Sequence, residues 1–189
     1  MNSRMIADPI TLYQCSANAD GATATIVCSA EKAKQYTTNP IFLCGWAGGA
    51  PMYTKGEAAL LLEGPVDMLG QKAHAMSGLG PKDVDVVQVH DAFSPGEIIV
   101  IEQLGLCPIG EGGPFVWEGN TKVGGKLPVN TDGGLVSCGH PIGATGGRMI
   151  FELVSQLRGL AGPRQINGPK VAMLENAGIG GVTVEMFKV

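Results

Sequence analysis

Apolar positions recur along this chain with two periods, one typical of helices and one typical of strands. Helical spacing is clearest after Pro65 and in the stretch that follows GATGGR. The stretches DVDVVQV and VTVEMFKV are rich in β-branched residues and indicate strands. Together the patterns predict helices over 22–35, from Pro65 to Gly78, from Ser94 to Gly105 and from GATGGR to Gly159, and strands over 41–47, 83–89, 170–175 and 182–189.

The alternation of these helices and strands predicts an α/β fold with a mixed sheet. One helix start carries a strong local signal: Ser94 is placed as the N-cap, Pro95 as the first helical residue and Glu97 as the partner that closes a capping box. Residues 106–128 are predicted to be a long Gly/Pro loop, of the kind that is often functional. The two tryptophans, Trp46 and Trp117, are expected to pack against loops, and Met149, Met173 and Met186 to lie in the core.

The amino-acid composition argues against several classes of function. The chain has 189 residues, a net charge of −4 and 44% apolar residues, so it can form a packed core but lacks the basic surface of a nucleic-acid binder. No window approaches 18 unbroken apolar residues, so no membrane span is expected. The five cysteines form no CxxC pair and the three histidines are far apart, which argues against a metal site and favours a reducing, cytoplasmic setting.

Three short stretches are candidates for chemistry. His90 and Asp91 follow a predicted strand, although an end-of-strand histidine is more often structural. His140 lies in GHPIGATG, where glycine permits close approach and the helix start near Gly143 offers free N–H groups; a structural turn is the alternative. The turn ENAGIGG can expose backbone N–H groups, or it can simply be a hairpin. Cys138 is two residues before His140, but a small buried thiol is the favoured interpretation over a Cys–His pair.

Longer stretches carry a resemblance to a known family. NTDGGLVSCGHPIGATGGR resembles the GHPxGATG segment of thiolases, and VQVHDAFSPGEIIVIEQLGL looks like the HDCF or HDAF segment of their sterol-carrier and lipid-transfer branch. VAMLENAGIGGVTVEMFKV is similar to the closing strands of that branch. The resemblance implies a thiolase-like α/β fold of two similar halves, each a mixed sheet packed between helices. This chain looks like the C-terminal half, with residues 1–20 as a lead-in and 21–189 as the domain.

The resemblance also implies roles. His140 would activate a nucleophilic thiol and hold the thioester oxygen, His90 would help bind a water or that oxygen, and the N–H of Gly180 would contribute to an oxyanion hole. In the family, the nucleophilic cysteine and most contacts to coenzyme A lie in the first half, which this chain does not match. Coenzyme A is thus expected as substrate or product, with no covalently bound cofactor and no metal. The residues expected to face the substrate are Gly139, Ala92, Phe93 and Gly143.

One departure from the family keeps the reaction open. The second catalytic cysteine of thiolases would fall in Gly178-Ile179-Gly180, or at Ala92 in the lipid-transfer branch, and neither position is a cysteine. The leading hypothesis is a thiolase-like acyltransferase that makes or breaks carbon–carbon bonds of acyl-CoA. The alternatives are a thiolase-fold retro-aldolase acting on β-hydroxyacyl-CoA with a zinc/OB-fold partner, and a non-catalytic subunit that binds lipid or acyl groups. In each case we expect a partner, either the first thiolase half or another subunit, in a homo- or hetero-oligomer.

Overall fold

A four-stranded mixed sheet forms the centre of the protein. The computed structural model describes residues 3–50, 65–178 and 181–189. The main sheet has the order β3-β6-β5-β4, in which β3 and β5 each run antiparallel to β6, and β4 runs parallel to β5. Its strands are β3 (Phe42–Gly49), β4 (Val86–Gln88), β5 (Val171–Gly178) and β6 (Gly181–Lys188), and a small separate sheet pairs β1 (Met5–Ala7) with β2 (Ile10–Thr11).

Helices cover both faces of the main sheet. The α-helices are α1 (Ala30–Ala33), α2 (Pro65–Ser77), α3 (Pro95–Gln103), α4 (Gly112–Trp117), α5 (Gly134–Cys138) and α6 (Thr145–Arg158), with 3-10 turns at Leu12–Gln14, Pro81–Asp83 and Gly162–Arg164. On one face, α2 and α3 pack with Met173 and Met186; on the other, α6 packs with Leu174. Successive side chains of β5 therefore enter opposite cores, as the period of a strand requires. The predicted α/β class and mixed sheet are confirmed.

Most predicted elements are present, with boundaries shifted by a few residues. The three methionines predicted to be in the core, at positions 149, 173 and 186, are fully buried. Burial of a side chain of that size stabilises a fold by about 1.5–3 kcal/mol. The tryptophan prediction is wrong, since Trp46 is 55% and Trp117 90% exposed.

The helix predicted over 22–35 is reduced to Ala30–Ala33. The run Thr23, Thr25, Ile26 and Val27 is β-branched at four positions, and such side chains lose rotamer freedom in a helix. Tertiary contacts also hold this stretch elsewhere, because the Thr23 hydroxyl donates to the carbonyl of Ala144 at 3.4 Å. Ile26 and Val27 are left more than four-fifths exposed, which is consistent with the predicted partner.

The predicted capping box of α3 is wrong. Ser94 has helical backbone angles and makes no capping hydrogen bond; its hydroxyl accepts from the side chain of Gln14 at 3.3 Å. The carboxylate of Glu97 is bonded to Thr121 instead of the backbone of Ser94. The predicted loop over 106–128 also contains the short helix α4, whose Gly112 N–H donates to Glu102 at 2.7 Å. Both differences arise from long-range partners that a local pattern does not contain.

No helix among the described residues is long and apolar enough to cross a membrane. Within the same residues, no group of three or more histidine, cysteine, aspartate or glutamate side chains could hold a metal ion.

Candidate active site

The lead-in segment joins the two histidine-bearing loops. Ser16 N–H donates to the carbonyl of Ala92 at 2.8 Å, just after His90, and His140 N–H donates to the carbonyl of Ala17, also at 2.8 Å. Isolated β-bridges between Cys15 and Phe93 and between Asn18 and His140 extend the same pairing. Residues 15–18 therefore act as a short strand between the loops, and the two histidines are brought together through backbone hydrogen bonds.

His90 and His140 form an edge-to-face pair. Their ring centroids are 4.9 Å apart and their planes are inclined at 84°. Both side chains are half-buried. Two residues 50 positions apart in the sequence thus form one site, at the ends of β4 and of the loop that precedes α6.

Each ring is oriented through its Nδ1 atom. Nδ1 of His90 lies 3.0 Å from Oδ1 of Asn176, and Nδ1 of His140 lies 2.7 Å from the Thr145 hydroxyl. An amide oxygen can only accept, and the Thr145 hydroxyl donates its proton to the carbonyl of Pro141 at 3.1 Å. Both rings therefore donate from Nδ1, and the neutral form of each carries its lone pair on Nε2. Neither Nε2 atom has a hydrogen-bond partner among the described residues, so both can bind a ligand.

The surroundings keep His140 in its neutral form. Burial lowers its pKa from the ordinary value of 6.5, and the nearby His90 and Arg148 lower it further, against a smaller opposing effect of Asp91. Neutral imidazole can take a proton at Nε2, whereas imidazolium cannot. At neutral pH His140 is therefore suited to act as a general base.

Asp91 supports the loop that carries His140. It is 6% exposed, and its Oδ1 accepts the N–H of Leu135 at 2.7 Å, in the first turn of α5. Burial raises the Asp91 pKa, and the hydrogen bonds from the backbone oppose that rise. A Cβ atom at Gly134 would collide with this carboxylate, which explains the glycine there. Asp91 consequently stabilises the loop, because its carboxylate is hydrogen-bonded to the first turn of α5.

An ion pair holds the same loop against α6. The Arg148 guanidinium contacts Oδ2 of Asp132, while Oδ1 of Asp132 accepts from Gln88 at 3.1 Å and from Gly134 N–H at 3.2 Å. This carboxylate therefore links β4, the start of α5 and the first turns of α6. The helix that begins beside His140 is in this way fixed to the sheet that carries His90.

The family model for the thiolase C-terminal domain-like proteins matches residues 49–186, which includes both histidine loops and the closing strands. The chain belongs to that family. The resemblance seen in the sequence is confirmed, and the two histidines lie together in the fold of a thiolase domain.

Relatives share the domain over part of their length. Sterol carrier protein 2 from Bos taurus is 41% identical over all of this chain and 36% of its own length. An acetyl-CoA acetyltransferase from Methanothermobacter thermautotrophicus is 41% identical over 97% of this chain and 48% of its own. Among solved structures, the Ltp2-ChsH2(DUF35) aldolase superimposes with a TM-score of 0.85 at 27% identity, covering all of this chain and 50% of that one. This chain thus spans between about a third and a half of the length of these relatives.

Other residues expected to face the substrate lie around the histidine pair of the thiolase domain. Phe93 is 58% exposed, and a Cβ atom at Gly143 would meet nothing within 4 Å, so both border open space. Gly139 is buried against the lead-in segment, and Ala92 is half-buried. Gly180 lies outside the described residues. The substrate-facing roles of these residues stay predictions.

Cys138 does not pair with His140. It ends α5, its side chain is exposed, and its thiol donates to the carbonyl of Asp132 at 3.2 Å. Although the side chain is exposed, partial desolvation of its sulfur and the nearby Asp132 raise the pKa of the thiol, which disfavours the reactive thiolate. The expectation of a small buried thiol is wrong because the side chain is exposed. The expectation of a Cys–His pair is wrong because the segment is a helix and not extended, and the thiol bonds to Asp132.

Two neighbouring side chains of β5, Glu175 and Asn176, were missed as site residues by sequence reasoning. Asn176 orients the ring of His90, and Oε2 of Glu175 accepts the backbone N–H of His90 at 3.0 Å. Glu175 is fully buried, and burial raises its pKa to about 7. The only sequence signal was their place in ENAGIGG, directly before the glycine turn, and that signal does not name His90 as their partner.

Glu175 makes stability depend on pH. Its folded pKa of about 7 lies above its ordinary value of 4.5, so the folded protein holds a proton between these values that the unfolded chain releases. Stability should therefore fall as pH rises from 4.5 to 7, by on the order of 3 kcal/mol in total, and then level off. We expect Glu175→Gln to flatten this slope and to be more stable than wild type at pH 8. Urea unfolding of both proteins at pH 5 and pH 8 measures it; equal slopes would contradict the prediction.

Proposed function

We propose that this domain provides the acid–base and oxyanion-binding histidines of a thiolase-like acyltransferase that acts on acyl-CoA thioesters. The observation that carries the proposal is the pair of His90 and His140, whose Nε2 atoms are both free among the described residues while both Nδ1 atoms are held. A nucleophilic thiol from the first thiolase half would approach this pair. Family membership supports the proposal, since one relative is named as an acetyl-CoA acetyltransferase.

His140 has the chemistry for two successive steps. As neutral imidazole it takes the proton of the attacking thiol at Nε2, which leaves a thiolate and an imidazolium. The new Nε2–H then donates to the oxygen of the thioester, where negative charge develops. The Thr145 hydroxyl accepts from Nδ1 in both forms of the ring, so the ring does not have to rotate between the steps.

His90 completes the binding of that oxygen. Its Nε2 lone pair can accept a hydrogen bond from a water molecule, whose second O–H then donates to the thioester oxygen. Gly180 N–H is proposed for the second oxyanion hole, which receives the carbonyl of the acyl-enzyme. Together these groups lower the energy of the charged states on both sides of acyl transfer.

A retro-aldolase is the second candidate function, and the residue that favours it is Ala92. Claisen chemistry needs a group that removes or returns a proton at the substrate α-carbon, and Ala92 and Gly178 leave both family positions for that thiol without one. Retro-aldol cleavage of a β-hydroxyacyl-CoA instead needs a base for the hydroxyl proton and stabilisation of the thioester enolate. The histidine pair has the groups for both, and the solved relative named as an aldolase has the same fold.

The two functions differ in their need for an acyl-enzyme. The test uses the full-length native protein with a 3-ketoacyl-CoA plus coenzyme A, and separately with a 3-hydroxyacyl-CoA alone. Intact mass spectrometry records an acyl adduct, and chromatography records the shortened acyl-CoA. An adduct with cleavage of the 3-ketoacyl-CoA supports the acyltransferase. Cleavage of the 3-hydroxyacyl-CoA to a carbonyl product without an adduct supports the aldolase, and turnover of neither substrate contradicts both.

A further inference from the structure

We propose that Glu175 is a positioning residue for His90, and that it acts on the backbone while Asn176 acts on the ring. The inference rests on the proposed function, because that function gives His90 a part in binding the thioester. Two consecutive residues of β5 would then hold His90, one through its backbone N–H and the other through its ring. Glu175 does not touch the ring nitrogens, so its effect on the reaction would pass entirely through His90.

The hydrogen bond lies beyond the end of the regular sheet. The pairing of β4 with β5 ends at Gln88 and Leu174. Two residues after Gln88, the N–H of His90 is bonded to the carboxylate of Glu175 at 3.0 Å, where a longer strand would use a backbone carbonyl. The Glu175 side chain therefore extends the pairing of β4 with β5 by one hydrogen bond. This bond holds the backbone of His90 next to β5.

The two residues hold His90 from opposite faces of the sheet. Side chains along a strand alternate, so Glu175 points into the same core as Met173, and Asn176 points to the side of Leu174 and α6. A Cβ atom at Gly146 would lie 3.1 Å from the Asn176 amide nitrogen, so the glycine leaves room for that amide at the start of α6. His90 is consequently held by one side chain from each face of the sheet.

A carboxylate is a costly choice for this task. Glu175 is fully buried, and its Oε1 has no hydrogen-bond partner among the described residues. An uncompensated buried charge costs more than a buried amide or an apolar side chain. Strained and ionisable buried groups of this kind concentrate at functional sites. The adjacent residue, Asn176, contacts the same histidine. Because both residues hold His90, we infer that the buried carboxylate serves the site that contains His90.

Loss of the contact should affect the reaction more than binding. The ring centroids of His90 and His140 are 4.9 Å apart. A displacement of about 1 Å in such a site can reduce a rate on the order of 100-fold. Coenzyme A is bound mainly by other parts of the thiolase fold, according to the resemblance. We therefore expect a change in kcat with little change in KM.

The experiment compares Glu175→Gln with Glu175→Met in the full-length protein, using whichever acyl-CoA substrate it cleaves. Gln keeps an acceptor for the His90 N–H, whereas Met has a similar length and no oxygen. We expect Met to lower kcat by about 10- to 100-fold with KM changed by less than about threefold, and Gln to stay within about threefold of wild type. Glu185→Met is the matched control: Glu185 is a half-buried glutamate on β6, and its substitution should leave kcat unchanged.

A second measurement does not need turnover. Hydrogen exchange at the His90 amide, followed by NMR, should be at least about 10-fold faster in the Met variant than in wild type or the Gln variant. If the protein cleaves neither substrate, the proposed function fails, while this measurement still tests the hydrogen bond. Wild-type kcat and amide protection in a folded Met variant would overturn the inference. So would a folded Gln variant that loses as much kcat as Met, or that loses protection at His90.

Discussion

Replacing His140 by alanine should reduce kcat by about 100- to 10,000-fold, the range typical of a lost acid–base group. The reason is that His140 Nε2 is the proposed acceptor of the thiol proton and the later donor to the oxyanion, and alanine can do neither. The backbone contact of residue 140 to Ala17 does not involve the side chain, so the fold should be kept. Steady-state kinetics on the full-length protein, with circular dichroism for folding, measures both.

The third histidine of the chain gives the control. His74 lies on α2, and its Nδ1 is hydrogen-bonded to the carbonyl of Leu79 at 2.9 Å, so its ring is held by a contact separate from those of the pair. Asparagine can place a nitrogen near that position, so His74→Asn should keep kcat within about threefold of wild type. An unchanged rate in His140→Ala would remove that residue from the mechanism. Equal losses in both variants would point to a general effect on folding.

Gly139→Ala should strongly destabilise the loop that carries His140. Gly139 has φ of 82° and ψ of 170°, a backbone conformation that side chains disfavour. A Cβ atom there would also lie 2.8 Å from the Cβ atom of Ala19. We expect a loss of about 2–5 kcal/mol in the free energy of unfolding, from backbone strain together with overpacking. Denaturant unfolding of the full-length protein measures it.

Gly113→Ala is the matched comparison for this prediction. Gly113 lies in α4, has no positive φ, and a Cβ atom added there would meet nothing within 4 Å. Alanine is favoured over glycine in a helix, so stability should stay equal or rise by up to about 1 kcal/mol. If the two variants lose the same stability, the conformation and close contact of Gly139 do not explain its glycine.

The sequence was informative where a local pattern determines the structure. The strands β5 and β6 and the helix α6 follow from their apolar periods, and the choice of His90 and His140 as candidate residues follows from the motifs that contain them. The helix α5 was missed because its N-cap, Gly133, and its first residue, Gly134, are glycines, which disfavour a helix; the carboxylate of Asp91, 44 residues before Leu135, stabilises it. The supporting residues Thr145, Glu175 and Asn176 were missed for a similar reason. Their roles depend on which partners the fold brings near, and spacing along the chain does not encode that.

The short strand made by residues 15–18 has a consequence for how this domain can be divided. A protein cut at residue 20 would retain all four strands of the main sheet and both cores. Among the described residues, it would lose the three backbone hydrogen bonds that join residues 1–20 to the rest of the domain: Ser16 N–H to Ala92, Ser94 N–H to the carbonyl of Gln14 and His140 N–H to Ala17. The segment that the sheet does not need for folding thus joins the two loops that carry His90 and His140. The smallest piece that folds and the smallest piece that holds the two histidines together would be different lengths of the same chain.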